Sequence, residues 1–145
     1  MRPAGLIDTG AILAILESDD RWHSSSLEAF RSVQLPLLTT EAVLTELFHL
    51  VGRNLHNVES AWRFIGSGAL TVKPVNDNDL PDLRALMQRY RDRPMDFADA
   101  TLVHVANRES VSLILTIDHN DFETYRLSGN RKFTILPSPI GRRTS

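Results

Sequence analysis

Acidic residues that close short apolar runs are the part of this sequence best suited to chemistry. Asp8 closes Leu6-Ile7-Asp8-Thr9-Gly10, and Asp118 closes Leu113-Ile114-Leu115-Thr116-Ile117-Asp118. Each also has a bland explanation, because aspartate is a good helix cap and turn residue. A third feature, Met95-Asp96-Phe97-Ala98-Asp99-Ala100, opens an apolar stretch of helical period. Residues at i and i+3 share a helix face, so both carboxylates can aim past the N-terminus toward one point. Capping and the helix dipole account well for Asp96. They account less well for Asp99, whose neighbours Ala98, Ala100, Leu102 and Val103 imply packing on most sides. An unpaired carboxylate there is costly unless something positive compensates it. The fourth feature is the amphipathic stretch Thr40 to Arg53, with acids at Glu41 and Glu46. At about 100° per residue these two lie about 140° apart, on opposite margins of the apolar arc, so only one can face a given site. The period does not choose between them.

The hydrophobic pattern predicts the elements that must carry these acids. Ala4 to Asp8 reads as a buried strand, followed by a helix from Thr9 to Ser18 with Thr9 as its cap; Trp22 to Val33 reads as a second helix. Pro36 to Thr39 is a short strand, and Thr40 caps a helix over Glu41 to Arg53, continued by another at Val58 to Ile65. Leu70 to Val75 is a strand, and a helix follows around Leu83 to Tyr90. After Pro94 comes the helix Asp96 to Arg108, then a β-rich run at Val111 to Ile117 and a last strand at Phe133 to Leu136. About five strands bridged by helices imply an α/β fold, with a mostly parallel sheet covered on both faces. One domain over residues 1–136 is expected, with 137–145, rich in Pro, Ser and Arg, as a loose tail.

In open parallel sheets ligands sit beyond the carboxyl ends of the strands, so Asp8, Asp118 and the Asp96/Asp99 pair are expected on one edge. Carboxylates converging there repel one another and either protonate or recruit cations. Hard oxygen ligands select Mg²⁺, with Mn²⁺ able to substitute. Such a site suits hydrolysis of a phosphodiester, because a divalent cation acidifies water and neutralises charge on phosphate oxygens.

Composition narrows the alternatives. The 145 residues contain no cysteine, which excludes disulfides, cysteine zinc sites, Fe–S clusters and a thiol nucleophile. The net charge of −2 argues against adhesion to nucleic acid or anionic lipid through bulk charge. The apolar N-terminus from Ala4 to Leu16 is interrupted by Asp8 and lacks a small-residue cleavage site, so it reads as fold rather than leader. A soluble cytoplasmic protein without a membrane span is the expectation. Arg84, Arg89, Arg91 and Arg93, diluted by Asp82 and Asp92, read as a solvated helix face. Histidines at 23, 49, 56, 104 and 119 show no paired metal spacing, although His119 adjoins Asp118; Trp22 and Trp62 read as core. Three rival functions remain, one of them a phosphatase of small substrates, which a similar acid cluster would serve equally well. Asp8-Thr9-Gly10-Ala11 matches the aspartic protease signature, but that fold is all-β and would leave the other acids without a role. A non-catalytic Mg²⁺-binding regulatory module would want a lysine at the site, and only Lys73 and Lys132 exist.

The segments Leu6–Ala14 (LIDTGAILA), Thr39–Leu47 (TTEAVLTEL), Phe97–Val103 (FADATLV) and Leu115–Phe122 (LTIDHNDF), together with Asp20-Arg21-Trp22-His23, resemble those of PIN domains. Within that superfamily they resemble the VapC-type ribonuclease toxins of type II toxin–antitoxin systems, over Ile7 to about Leu136. The resemblance implies a three-layer α/β/α fold and a Mg²⁺-dependent endoribonuclease acting on RNA. It also implies a homodimer held inactive by an antitoxin protein whose C-terminal segment wraps the active-site groove. It places catalytic acids at Asp8, Glu46, Asp99 and Asp118, with Asp8, Asp99 and Asp118 on the metal, and so decides for Glu46 over Glu41. Asp96 and Asp121 become supporting acids, and Thr116 a hydroxyl holding water or a carboxylate. One departure is Gly10, where many relatives carry Asn or Ser.

Overall fold

The apolar runs assemble as five parallel strands, described by a computed structural model over residues 1–93 and 95–139. The strands are β1 (Gly5–Ile7), β2 (Leu37–Thr39), β3 (Leu70–Val72), β4 (Leu113–Leu115) and β7 (Thr134–Leu136), in the order β3-β2-β1-β4-β7. Leu6 pairs with Leu38 on one side and Ile114 on the other. Every residue of β1 and β4 is buried, so these central strands read as continuous apolar runs rather than alternating ones. A separate antiparallel ribbon joins β5 (Arg126–Leu127) to β6 (Arg131–Lys132).

Among the described residues seven α-helices surround the sheet: α1 (Thr9–Leu16), α2 (His23–Arg31), α3 (Glu41–Val51), α4 (Leu55–Gly66), α5 (Leu80–Arg89), α6 (Phe97–Glu109) and α7 (His119–Thr124). The result is the α/β/α arrangement expected from the order of elements. Among the described residues no helix is long and apolar enough to cross a membrane. Strand order reverses between β1 and β4, and this switch point is where an open parallel sheet leaves a crevice for ligand.

Several local expectations are corrected. The cap of α1 is Asp8, not Thr9: the Asp8 carboxylate accepts the Thr9 N–H at 2.7 Å, and Thr9 is the first helical residue. β4 stops at Leu115, so Asp118 lies three residues beyond the strand, at the mouth of α7. Neither α7 nor the β5–β6 ribbon is visible in the pattern, because six and two residues are too short to show a period. Helix α5 starts earlier than expected, with Pro81 in its first turn. Trp62 is 54% exposed and stacks on Phe48 at the surface, with centroids 4.8 Å apart, and Trp22 is only half-buried; neither is core. Pro94 and residues 140–145 of the expected tail lie outside the described residues.

The sheet crevice is tight around α1. A Cβ added to Gly10 would lie 2.8 Å from Ile117 Cγ1 and 3.0 Å from its Cδ1. Glycine thus lets the first turn of α1 approach the loop that delivers Asp118, which explains its place here in packing terms. Gly10→Ala is expected to push Ile117 aside and to cost about 1–3 kcal/mol in thermal denaturation, despite alanine's better helix propensity. An unchanged or raised melting temperature would mean that the loop yields freely.

Candidate functional site

Two elements aim Asp8 and Asp118 at the crevice. Asp8 leaves β1 with extended backbone, where one carboxylate oxygen caps α1 and the other accepts the Thr116 hydroxyl at 3.2 Å. Thr116, fully buried, also accepts the Asp118 N–H at 2.9 Å. One hydroxyl therefore couples the carboxylate after β1 to the backbone after β4. The Asp8 side chain is thereby oriented by two partners, and the Asp118 backbone is tied to one of them.

Helix α6 supplies the next two acids. Asp96 caps it, accepting the Asp99 N–H at 2.8 Å from an exposed position. Asp99 is 6% exposed, and its Oδ2 accepts the Tyr125 hydroxyl at 2.8 Å. The carboxylate oxygens of Asp99, Asp118 and Asp121 all lie within 4.8 Å of one another. Glu46 of α3 is half-buried and close enough for its charge to act on Asp8, whereas Glu41 is exposed. Of the two acids that the helical period left open, Glu46 is thus the one that α3, packed on α1 and α6, brings near Asp8.

The structure brings Asp8, Glu46, Asp96, Asp99, Asp118 and Asp121 to one end of the sheet, with some redistribution. Asp121, expected as a supporting acid, belongs to the tight trio, while Asp8 adjoins it through Thr116 and through charge. That detail depends on α7, which folds Asp121 back over Asp118 within one turn.

The electrostatics are those of a site short of positive charge. Among the described residues no lysine, arginine or histidine forms an ion pair with any of these six acids. Asp8 is pushed up to about 6, chiefly by burial, against the lowering effect of the Thr9 N–H, with Glu46 raising it further. Asp99 is pushed up to about 8 by burial and then by the charges of Asp8 and Asp96. Asp118 stands at the surface yet rises to about 7, because the surrounding wall partly desolvates its carboxyl and Asp121 shares a hydrogen bond with it. Carboxyls held this high at neutral pH call for a cation, and hard oxygen donors suit a small divalent one.

Tyr125 is the residue that sequence reasoning missed. Its ring is fully buried, edge-on to both Phe122 and Tyr90, and its hydroxyl is the one side-chain donor to Asp99 among the described residues. Burial and the Asp99 charge both raise its own pKa, so it stays a donor across the physiological range. Only the position of β5 after α7 could reveal it, since its spacing from Asp99 carries no local signal. Tyr125→Phe keeps the ring and removes the donor, so Asp99 is expected to titrate higher still and the fold to lose about 1–3 kcal/mol. Carbon-13 NMR of the Asp99 carboxyl together with thermal melting checks this; an unmoved titration would show that the hydroxyl is only packing.

Arg93 also departs from the expectation of a solvated helix face. Its guanidinium donates to the Asn120 carbonyl at 2.9 Å and to the Thr124 hydroxyl, tying α7 to the segment before α6. Arg84, Arg89 and Arg91 are exposed.

Comparison with known proteins agrees with this geometry. The chain is 28% identical over 134 residues to ribonuclease VapC26 of Mycobacterium tuberculosis, a match covering 91% of this chain and 99% of that protein. The fold is similar to the crystal structure of VapC20 of Mycobacterium tuberculosis, a sarcin-ricin-loop-cleaving toxin, with a TM-score of 0.70 and 20% identity over 81% of this chain and 94% of that one. Residues 5–127, from the first strand through β5, match the PIN domain, and the chain belongs to that family.

Proposed function

We propose that this chain is a divalent-metal-dependent endoribonuclease, the toxin of a toxin–antitoxin pair, whose nuclease domain spans residues 1–136. The observation that carries this is the convergence of Asp8, Asp99 and Asp118, each raised well above the usual carboxylate range with no cationic side chain among the described residues paired to it. Kinship with a protein named as a ribonuclease supports the choice of RNA as substrate. Similarity to a chain named as a toxin supports a cognate antitoxin as partner, and we further propose a homodimer as the working form and the cytoplasm as its place.

The donor set fits Mg²⁺ or Mn²⁺, with Asp99, Asp118 and Asp121 in one cluster and Asp8 beside it. Bound there, the cation supplies acidification of water and neutralisation of charge on the scissile phosphate. The chain's own residues do the rest. Tyr125 holds one oxygen of Asp99, and Thr116 fixes Asp8 relative to the Asp118 loop. Asp96 keeps the N-terminus of α6 in place. Glu46 makes no hydrogen bond among the described residues, and we assign it the proton from the attacking water.

Two of the three rival functions lose their basis in the fold. Asp8 opens a helix beside a parallel sheet, whereas an aspartic protease needs an all-β lobe. A lysine-dependent Mg²⁺ switch is not supported either, because Lys73 pairs with Glu109 at 3.4 Å and Lys132 is exposed on β6. The test is cleavage of a panel of structured RNAs with Mg²⁺ and with EDTA. Cleavage is expected only with metal; undiminished cleavage in EDTA would overturn the proposal.

A further inference from the structure

Trp22 and His119 form a tilted aromatic pair beside the acidic cluster that the hydrolytic chemistry leaves unused. Their ring centroids are 5.1 Å apart at 42°, and the Arg21 guanidinium lies 5.4 Å from the Trp22 ring centroid. Trp22 and His119 are half-buried and Arg21 is exposed, so this is a surface shelf rather than a core contact. The His119 ring and the Trp22 backbone are both anchored. His119 follows Asp118 directly, and its Nε2–H donates to the Pro137 carbonyl at 2.7 Å. The Trp22 backbone N–H donates to the Asp20 carboxylate at 2.7 Å, and the Trp22 carbonyl accepts the Ser26 N–H at 2.9 Å. From Arg21 a groove of about 560 Å³ runs between α2 and the segment after β7, lined by Ser24, Ser25, Glu28 and Pro137 among others.

We propose that Arg21, Trp22 and His119 form a subsite for single-stranded RNA, in which a base flanking the scissile phosphate stacks on the Trp22–His119 shelf while Arg21 meets the backbone. This rests on the nuclease function proposed above and adds where the substrate is gripped. Aromatic rings accept any base face, and a stacked base contributes roughly tenfold or more in affinity. Arg21 forms no ion pair among the described residues, so its charge is available to a phosphate. With a net charge of −2 the protein has no bulk attraction for RNA, and a local grip must replace it. Exposed Glu28 on the groove wall repels phosphate, which favours the Arg21 end for the backbone. A protein ligand could use the same rings, but a shelf one residue from Asp118 is where a substrate nucleotide must pass.

Trp62→Phe leaves Trp22 as the sole tryptophan, and Asp8→Asn suppresses cleavage. This double variant is titrated with a short single-stranded RNA of mixed sequence in Mg²⁺ while tryptophan fluorescence is read. Saturable quenching is expected, weakened about tenfold by Arg21→Ala or His119→Ala in proteins whose melting curves are unchanged. In protein retaining Asp8, Trp22→Leu is expected to raise KM for RNA about tenfold with kcat within about twofold, and Trp22→Phe to restore most of it. Absence of quenching, which would leave the shelf to a protein partner, overturns the subsite. So does an unchanged KM in Trp22→Leu, while the nuclease function stands. Quenching without cleavage of any RNA by the unmodified protein would sink the nuclease function and leave the RNA subsite standing.

Discussion

Asp99→Asn is expected to abolish RNA cleavage while making the metal-free protein more stable at pH 8. The two effects share one cause. Asp99 is buried, sits in the field of Asp8, Asp96 and Asp118, and has a single neutral donor in Tyr125. The amide is nearly isosteric, still accepts the Tyr125 hydroxyl and carries no charge, so it removes repulsion from the apo-protein. It also removes a ligand charge from the trio with Asp118 and Asp121. Activity is expected to fall ~100- to 1000-fold or more, the range typical of losing one preorganised electrostatic group. Stability at pH 8 is expected to rise by about 1–3 kcal/mol, which for a domain of this size is a gain of roughly 2–10 °C in melting temperature. Parallel assays of cleavage and melting check both halves. A variant that is inactive but less stable than the parent at pH 8 would mean that Asp99 is a structural anchor rather than a charge held in readiness for a cation.

The second large effect is a reversal with pH of the response to Mg²⁺. Asp8 and Asp99 have folded-state values of about 6 and about 8 against an ordinary 3.8, so between those limits the folded protein holds protons that the unfolded chain has released. Stability of the apo-protein from these groups is therefore fully present below about 3.8 and is lost as pH rises through 6 and then 8. The Asp8 shift alone corresponds to about 3 kcal/mol at pH 8. Part of each shift is repulsion between the same two carboxyls, so the combined loss is smaller than the sum. A cation that binds the ionised cluster restores what is lost. At a Mg²⁺ concentration about 100 times its Kd the gain is about 2.7 kcal/mol, or roughly 5–10 °C. At pH 5 the cluster is protonated and binding must displace those protons, so the Mg²⁺ shift is expected to disappear along with cleavage. Melting curves at pH 5 and pH 8, with and without Mg²⁺, make the comparison; equal shifts at both would show that the metal binds elsewhere.

Much of the architecture was legible because it depends on local composition. Short apolar runs such as Leu113–Leu115 can only be buried strands when helices bridge them, and parallel order follows from that bridging. The Thr40 and Asp96 caps were equally plain, since a side-chain oxygen that accepts the N–H three residues on acts locally. Asp8 and Asp118 stood out because a carboxylate directly after an apolar run must emerge at a sheet end. Thr9 was misplaced as a cap by one residue for the same reason that Asp8 mattered: both can cap, and the chain used the one already leaving the strand. Glu46 was separable from Glu41 only by family resemblance, because a helix rotated about its axis looks the same to a periodicity argument.

Sequence alone therefore determined that this protein is an α/β domain with carboxylates at strand ends, because burial period and capping act over a few residues at a time. Tertiary structure decided how those carboxylates are held. Tyr125 reaches Asp99 across 26 positions, Thr116 joins Asp8 across 108, and Trp22 meets His119 from the far side of the chain. Contacts at such separations leave no local signature, since their energy is gained only after the sheet has closed and brought both partners out of water.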